Sequence, residues 1–234
     1  DSCYWTWEHT FGAIMAKSPA VVLSSGGVHS LVAAGLASRE YRVALLHLRD
    51  ARASARQAQD AFERQVAHFK PLRNWVADAS YFRQMSLPPE TAGLITSTGS
   101  DSQAALVPLR ELQFLIIAAG FAQQIRASVI LWGVQYEQRA AEALSRVVEL
   151  VQVVNQMLEL MNPEAPIVVK TPLMGLEDQQ VIELGYQMGL PFNLSWSCQM
   201  PNNEVPCMSC PACARRIRSF RAAQLVDPLV ASKK

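Results

Sequence analysis

The sequence predicts an α/β protein: a doubly wound, Rossmann-like parallel sheet with a small C-terminal zinc-binding appendage. Three observations carry that reading. Short apolar or β-branched runs alternate with amphipathic stretches from about Pro19 onward, and strict alternation calls for parallel strands joined by right-handed crossovers, with helices on both faces. The alternation breaks near Ser195, where four of the five cysteines fall within sixteen residues, 198–213. The 234 residues are 50% hydrophobic and 18% charged, enough for one substantial core.

Taken in order, Ala20-Val21-Val22-Leu23 is a short strand, ended by Ser24-Ser25-Gly26-Gly27, and a helical pattern with Leu31, Val32, Ala33 and Leu36 follows. Arg42 to Leu48 is a second strand, Ala53 to Phe69 a second helix, and Arg73 to Ala77 a weaker third strand. Pro88-Pro89 and the polar run Thr96 to Ser102 mark a loop. The apolar helix Arg110 to Arg126 then leads to Ser128–Val134, the clearest buried strand. A long helix from Gln138 to Met161, a short strand at Ile167–Lys170 and a helix from Leu176 to Met188 complete the alternation. The expected division is an extension over 1–18, an α/β domain over 19–194 and a cysteine-bearing helical region over 195–234.

The formal net charge of +1 supplies no whole-molecule field toward nucleic acid or an acidic membrane. The longest apolar run, Phe114 to Ala122, is too short to span a bilayer. The opening Asp1-Ser2-Cys3-Tyr4-Trp5 has neither a basic n-region nor an apolar h-region, so no signal peptide is read there, although the chain does not begin with Met. Clustered cysteines in such a chain indicate a metal site in a reducing compartment, and cytosol is the expected location.

The cysteine spacing is Cys198-x8-Cys207-x2-Cys210-x2-Cys213. Zinc takes four thiolates at tetrahedral corners about 2.3 Å from the ion, and Cys-x-x-Cys steps supply adjacent corners from one turn. Pro206 and Pro211 stiffen the approach to two of the cysteines. Buried free thiols would not cluster so, and a redox pair needs two cysteines. An iron–sulfur cluster is the competitor that spacing alone leaves open. A site closed by four thiolates is structural.

Ser25-Gly26-Gly27-Val28-His29-Ser30 sits where the first strand hands over to a helix. Glycines there turn backbone N–H groups toward an anion, the helix N-terminus adds partial positive charge, and the serines add donors. The alternative is a tight turn capped by Ser30. The segment lacks the Gly-Lys-Ser/Thr of a Walker A loop.

Together these motifs resemble the 7-cyano-7-deazaguanine synthase (QueC) family of the PP-loop ATP pyrophosphatases, which have an adenine-nucleotide α-hydrolase-like fold. The family's loop is Ser-Gly-Gly-x-Asp-Ser. Its C-terminal pattern is matched here by Ser195-Trp196-Ser197-Cys198, the Cys207–Cys213 triplet, Arg216, Phe220, Ala223 and Asp227-Pro228. Lys170-Thr171-Pro172-Leu173, Val107-Pro108-Leu109-Arg110 and Trp132-Gly133-Val134 extend the resemblance over about residues 19–229. It implies an enzyme that activates 7-carboxy-7-deazaguanine as an acyl-adenylate with ATP and Mg²⁺, then forms amide and nitrile with ammonia. Carried over, Ser25, Gly26, Gly27 and Ser30 would cradle ATP phosphates, Arg110 would stand in the catalytic cleft, and Cys198, Cys207, Cys210 and Cys213 would hold zinc. The resemblance also implies a homodimer.

The departures are specific. His29 replaces the loop aspartate, as a direct phosphate donor or as filler. Asp50-Ala51-Arg52-Ala53-Ser54 replaces a Tyr-Gly-Gln-Arg-His stretch, and Glu111 stands where asparagine is expected. The family's purine-recognition segment is missing after Gln135-Tyr136-Glu137-Gln138, and Asp178-Gln179 stands near a usual lysine. The first functional expectation is a divergent adenylating enzyme acting on a deazapurine acid, with ammonia or a protein as acceptor; members of the wider group also occur in anti-phage gene clusters. The second is a catalytically silent, zinc-stabilised subunit that binds a nucleotide or partner. RNA thiolation would call for a basic surface, which the near-zero net charge does not support. Arg215 and Arg218 share a helix face for phosphates, a partner's acids or solvent. His47 falls within a strand and is expected in the core or at its rim. Tyr4, Trp5 and Trp7 form an aromatic strip for packing on the body or a second subunit.

Overall fold

The computed structural model describes residues 17–50, 53–83, 109–135, 141–200 and 204–231. Among the described residues five parallel strands form one sheet in the order β3-β2-β1-β4-β5: β1 Pro19–Leu23, β2 Arg42–Arg49, β3 Arg73–Asp78, β4 Val129–Trp132 and β5 Val168–Lys170. The first strand is central, with Val21 opposite Ala44 on one side and Ile130 on the other. The helices between and after them are α1 Val28–Glu40, α2 Ala55–Phe69, α3 Arg110–Gln124, α4 Ala141–Met161, α5 Asp178–Gln187, α6 Pro211–Ala222 and α7 Pro228–Ala231.

A strand covered on both faces is apolar along its buried length, as β1 is throughout and β2 is from Val43 to Leu48 apart from His47. Their side chains divide by the two-residue period. Ala20, Val22, Val43 and Leu45 pack with Leu31 and Val32 of α1, Phe62 of α2 and Val181 and Ile182 of α5. Val21, Leu23, Ala44 and Leu46 pack on the opposite face with Leu115, Ala118 and Ala122 of α3 and Val154 of α4. The doubly wound sheet is therefore present. The edge strand β3 is mostly exposed, which explains its weak signal in the sequence.

Element ends differ slightly from expectation. The fourth strand stops at Trp132 instead of Val134, because Gly133 passes against the start of α1: a Cβ there would meet the His29 carbonyl oxygen at 2.9 Å. The helices expected from Ala53 and Leu176 begin at Ala55 and Asp178. The second is fixed by Gln180, whose side chain accepts from the Glu177 N–H at 2.8 Å. The N-terminal aromatic strip, the Pro88-Pro89 and Thr96–Ser102 loop, and the start of the helix expected at Gln138 lie outside the described residues.

The C-terminal stretch packs into the main core. Phe220 of α6 is 2% exposed and meets Phe192 edge-on at 5.1 Å. Arg216 donates to both oxygens of Asp227, at 2.7 and 2.9 Å, and to Ser195 Oγ at 2.8 Å. Both charges of that pair are almost wholly buried, so removing either would strand the other. Among the described residues no helix is long and apolar enough to cross a membrane.

Candidate functional site

The glycine-rich loop leaves the C-terminal end of β1, the position at which open parallel sheets place ligands. Gly26 adopts φ +78°, and a Cβ on it would lie 2.3 Å from the Ala58 carbonyl oxygen. Only glycine satisfies both the backbone angle and the approach to α2. Gly27, extended at φ −84° and ψ 178°, precedes the first turn of α1, where no side chain caps the helix and which carries no acidic residue of its own. Backbone donors and partial positive charge thus remain directed out of the loop. Ser25 Oγ donates to Ser30 Oγ at 3.3 Å and accepts from the Gly27 N–H at 3.3 Å, while Ser30 Oγ also lies 3.1 Å from the Gly27 carbonyl. Ser25, Gly26, Gly27 and Ser30 therefore form one local cluster.

The loop is held from behind by groups that its own sequence does not reveal. Gln65 of α2, fully buried, donates to the Gly26 carbonyl at 3.1 Å and accepts from Ser24 Oγ at 3.0 Å. His47 lies in the core, as expected, stacked on Phe62 at 5.1 Å. Its Nδ1 is 2.8 Å from the Ser24 carbonyl, which only an N–H can satisfy. From the C-terminal side the Trp196 N–H donates to the Gly26 carbonyl at 2.9 Å.

In front of the loop a cleft of ≈ 180 Å³ opens between α1, α5 and α6, lined by Gly27, His29, Asp178, Trp196 and Arg215 among others. His29 Nε2 lies 3.1 Å from Asp178 Oδ1. Arg215 clamps the same carboxylate, from Nη2 to Oδ1 at 2.7 Å and from Nε to Oδ2 at 2.5 Å. Arg215 also donates to Gln135 Oε1. Burial alone would raise the Asp178 pKa, but the hydrogen bonds from His29 and Arg215 outweigh it and hold the carboxyl well below the usual range. Asp178 is ionised and accepts only, so His29 carries its proton on Nε2.

Arg110 does not line this cleft. It begins α3, pairs with its neighbour Glu111 at 3.1 Å and lies over the Phe114 ring at 5.9 Å. The acid standing in place of asparagine explains the orientation, since it gives the guanidinium a local partner. Arg215 meets an acid of its own chain, and Arg216, adjacent to it, is buried.

The four cysteines converge. The Sγ atoms of Cys198, Cys207, Cys210 and Cys213 all lie within 4.8 Å of one another, with 3.9 Å between those of Cys207 and Cys213. Four thiolates around one ion at about 2.3 Å stand about 3.8 Å apart, so the donor set fits a single tetrahedral metal. Backbone N–H groups point at the sulfurs: Cys207 to Cys198 Sγ at 3.4 Å, Cys210 to Cys207 Sγ at 3.3 Å and Cys213 to Cys210 Sγ at 3.5 Å. Backbone hydrogen bonds, first from Ser209, bring the Cys207 thiol down to about 6, whereas burial pushes Cys198 and Cys213 up. A cation among them would supply the charge that burial withholds.

Sequence reasoning missed Gln65, Gln135 and the pairing of His29 with Asp178. A signal for the last was present: the resemblance put a base where the family has an acid, and an acid near where it has a base. Two opposite changes can compensate each other only if the residues meet.

Fold and site thus define an α/β protein with a phosphate-type loop after its central strand and a four-cysteine staple beside it. Residues 19–224 match the family described as Queuosine biosynthesis protein QueC, and the chain belongs to that family. It is 32% identical to a 7-cyano-7-deazaguanine synthase of Chlorobium phaeobacteroides (strain BS1), over 90% of this chain and 95% of that one. It is 30% identical to a synthase of the same description from Acidobacterium capsulatum, over 91% and 96% of the two chains. A weaker structural likeness, TM-score 0.42 at 15% identity over 92% of this chain and 79% of the other, is to an NAD+ synthetase from Burkholderia pseudomallei.

Proposed function

We propose that the protein is an ATP-dependent adenylating enzyme acting on 7-carboxy-7-deazaguanine or a closely related deazapurine acid. The observation that carries the reading is the loop Ser25–Ser30 at the end of the central strand, opening into the cleft with a helix N-terminus that has no side-chain cap and no acid in its own first turn. Family membership and close to full-length similarity to 7-cyano-7-deazaguanine synthases support it. A carboxylate oxygen of the substrate attacks the α-phosphorus of ATP and pyrophosphate leaves. The nitrogen of ammonia then attacks the acyl carbon, and AMP leaves with the carboxylate oxygen. A second adenylation, on the amide oxygen, lets AMP depart again and leaves the nitrile. A protein amine as acceptor would end the sequence at an amide, the outcome suited to a role in anti-phage defence.

The metal best suited to the cysteine centre is zinc. A cubane cluster would hold its anchoring sulfurs farther apart than the corners around a single ion, and these sulfurs lie within 4.8 Å. Zinc would be closed off by four thiolates there and would stabilise the fold without touching substrate.

A second reading, a nucleotide-binding subunit without turnover, is favoured by one observation: the carboxylate lining the cleft, Asp178, is engaged by His29 and Arg215. One assay separates the two. The zinc-loaded protein is mixed with ATP, Mg²⁺, ammonium and 7-carboxy-7-deazaguanine, and products are read by mass spectrometry. AMP with amide or nitrile is expected. AMP without either points to another acceptor, and no AMP with this acid or with candidate protein acceptors would overturn the enzymatic reading.

A further inference from the structure

Divalent metal reaches a nucleotide-binding cleft most simply through a free carboxylate. Among the described residues Asp178 is the carboxylate lining this cleft. A carboxylate offers about four acceptor positions, and three are filled: Oδ1 by His29 Nε2 at 3.1 Å and Arg215 Nη2 at 2.7 Å, Oδ2 by Arg215 Nε at 2.5 Å. A cation approaching it meets a guanidinium that repels it. The same arrangement favours an anion. Arg215 brings a permanent positive charge to the wall of the cleft, and α1 brings the amino end of a thirteen-residue helix that has no side-chain cap. His29, with Nε2 committed to Asp178, keeps Nδ1 as a second polar atom at the head of that helix.

From this geometry, and resting on the reading of the loop as a nucleotide site, we infer that the cleft binds the polyphosphate of a nucleotide as a metal-free anion. Its charge is met by Arg215 and the amino end of α1, with no divalent cation held on Asp178, the carboxylate that lines the cleft among the described residues. Asp178 serves as the positioning residue that fixes Arg215 and His29 at the wall, and this arrangement replaces the task an aspartate at position 29 would perform through metal.

The test is calorimetric titration of the zinc-loaded protein with ATP in buffer stripped of divalent ions by chelating resin before the protein is added, so that the cysteine centre keeps its metal. The same titration is run with millimolar Mg²⁺. The wild type is expected to bind in both, with affinities within about threefold. His29→Asp is expected to lose at least about tenfold in magnesium-free buffer, the scale of one charge-assisted contact, and to regain it with Mg²⁺. Arg215→Gln is expected to weaken binding in both buffers. Zinc content and melting temperature are read on each sample, and if a variant fails to fold the two wild-type titrations decide alone. Wild-type binding that requires Mg²⁺ overturns the inference and leaves the nucleotide reading standing. Absence of ATP binding in both buffers overturns that reading as well.

Discussion

The cysteine centre and the phosphate-type loop are both tight turns rich in backbone N–H donors, yet they are assembled differently. All four sulfurs come from sixteen consecutive residues, 198–213, and their geometry is set by local turns and the start of α6. The cleft joins residues 25–30 to 135, 178, 196 and 215, brought together only by the fold. A local site can hold its geometry by itself. A distributed one depends on complementary charges, and it can be rewired if two of them change together. One helix serves both sites: α6 carries Cys213 and, two residues on, Arg215.

The comparison breaks most severely at the staple. Cys213→Ser should abolish metal binding, and structural zinc sites are worth roughly 10–16 kcal/mol of apparent binding energy. At about 2–4 °C per kcal/mol for a chain of this size, even a third of that lowers the melting temperature by about 7–20 °C. Metal analysis and a thermal melt check it. A melt unchanged from wild type would mean that the staple contributes no folding energy.

Next in size is the buried pair that ties α6 to the segment before the cysteines. Arg216→Met leaves Asp227 charged in a site that excludes water, at a cost of about 3–5 kcal/mol. Adding Asp227→Leu should recover most of the loss. Denaturant midpoints of the single and double variants check both statements, and equal destabilisation by the two would show that packing, not the stranded charge, is responsible.

A smaller effect tests the loop alone. Gly26→Ala places a methyl against the Ala58 carbonyl at a positive φ, a strain of about 1–3 kcal/mol. ATP affinity should fall by about tenfold or more while metal content stays at the wild-type level. Loss of both would mean that the two sites are less separable than their assembly suggests.

The smallest expected effect is acid-dependent. Asp178 has its pKa lowered in the folded state from the ordinary 3.8, so the folded protein takes up this proton less readily than the unfolded chain. Its contribution is complete above about pH 5 and fades as the pH falls below the ordinary value. Wild type should therefore exceed Asp178→Asn by a constant margin from neutral pH to about 5, shrinking at lower pH. Because Arg215 is 43% exposed, solvent screens the pair and the margin should stay below about 2 kcal/mol. A margin that grows on acidification would contradict the pairing.

The same division between local and distributed explains what could be read from the chain. The apolar runs of β1 and β2, buried on both faces, are continuous and therefore conspicuous, and the cysteine spacing and Ser25-Gly26-Gly27 are local patterns. The exposed strand β3 gave a weak signal because only one of its neighbours is a strand. Gln65 was silent because a buried glutamine looks, in sequence, like a polar residue on the wet face of α2. Asp178 was visible as an anomaly, but its partner is 149 positions away, a distance over which periodicity carries no information. Arg110 matches its motif, yet it pairs with Glu111, which stands where asparagine was expected, and is not among the described residues that line the cleft.

Hydrogen exchange of the zinc-loaded protein with and without ATP tests most directly whether the loop after β1 and the helix of the staple together form one nucleotide site. ATP should slow exchange at the amides of Gly26–Leu31 and in the first turns of α6 around Arg215, leaving α3 and α4 unchanged. Protection confined to other parts of the chain, or none at nucleotide concentrations that saturate binding, would contradict it.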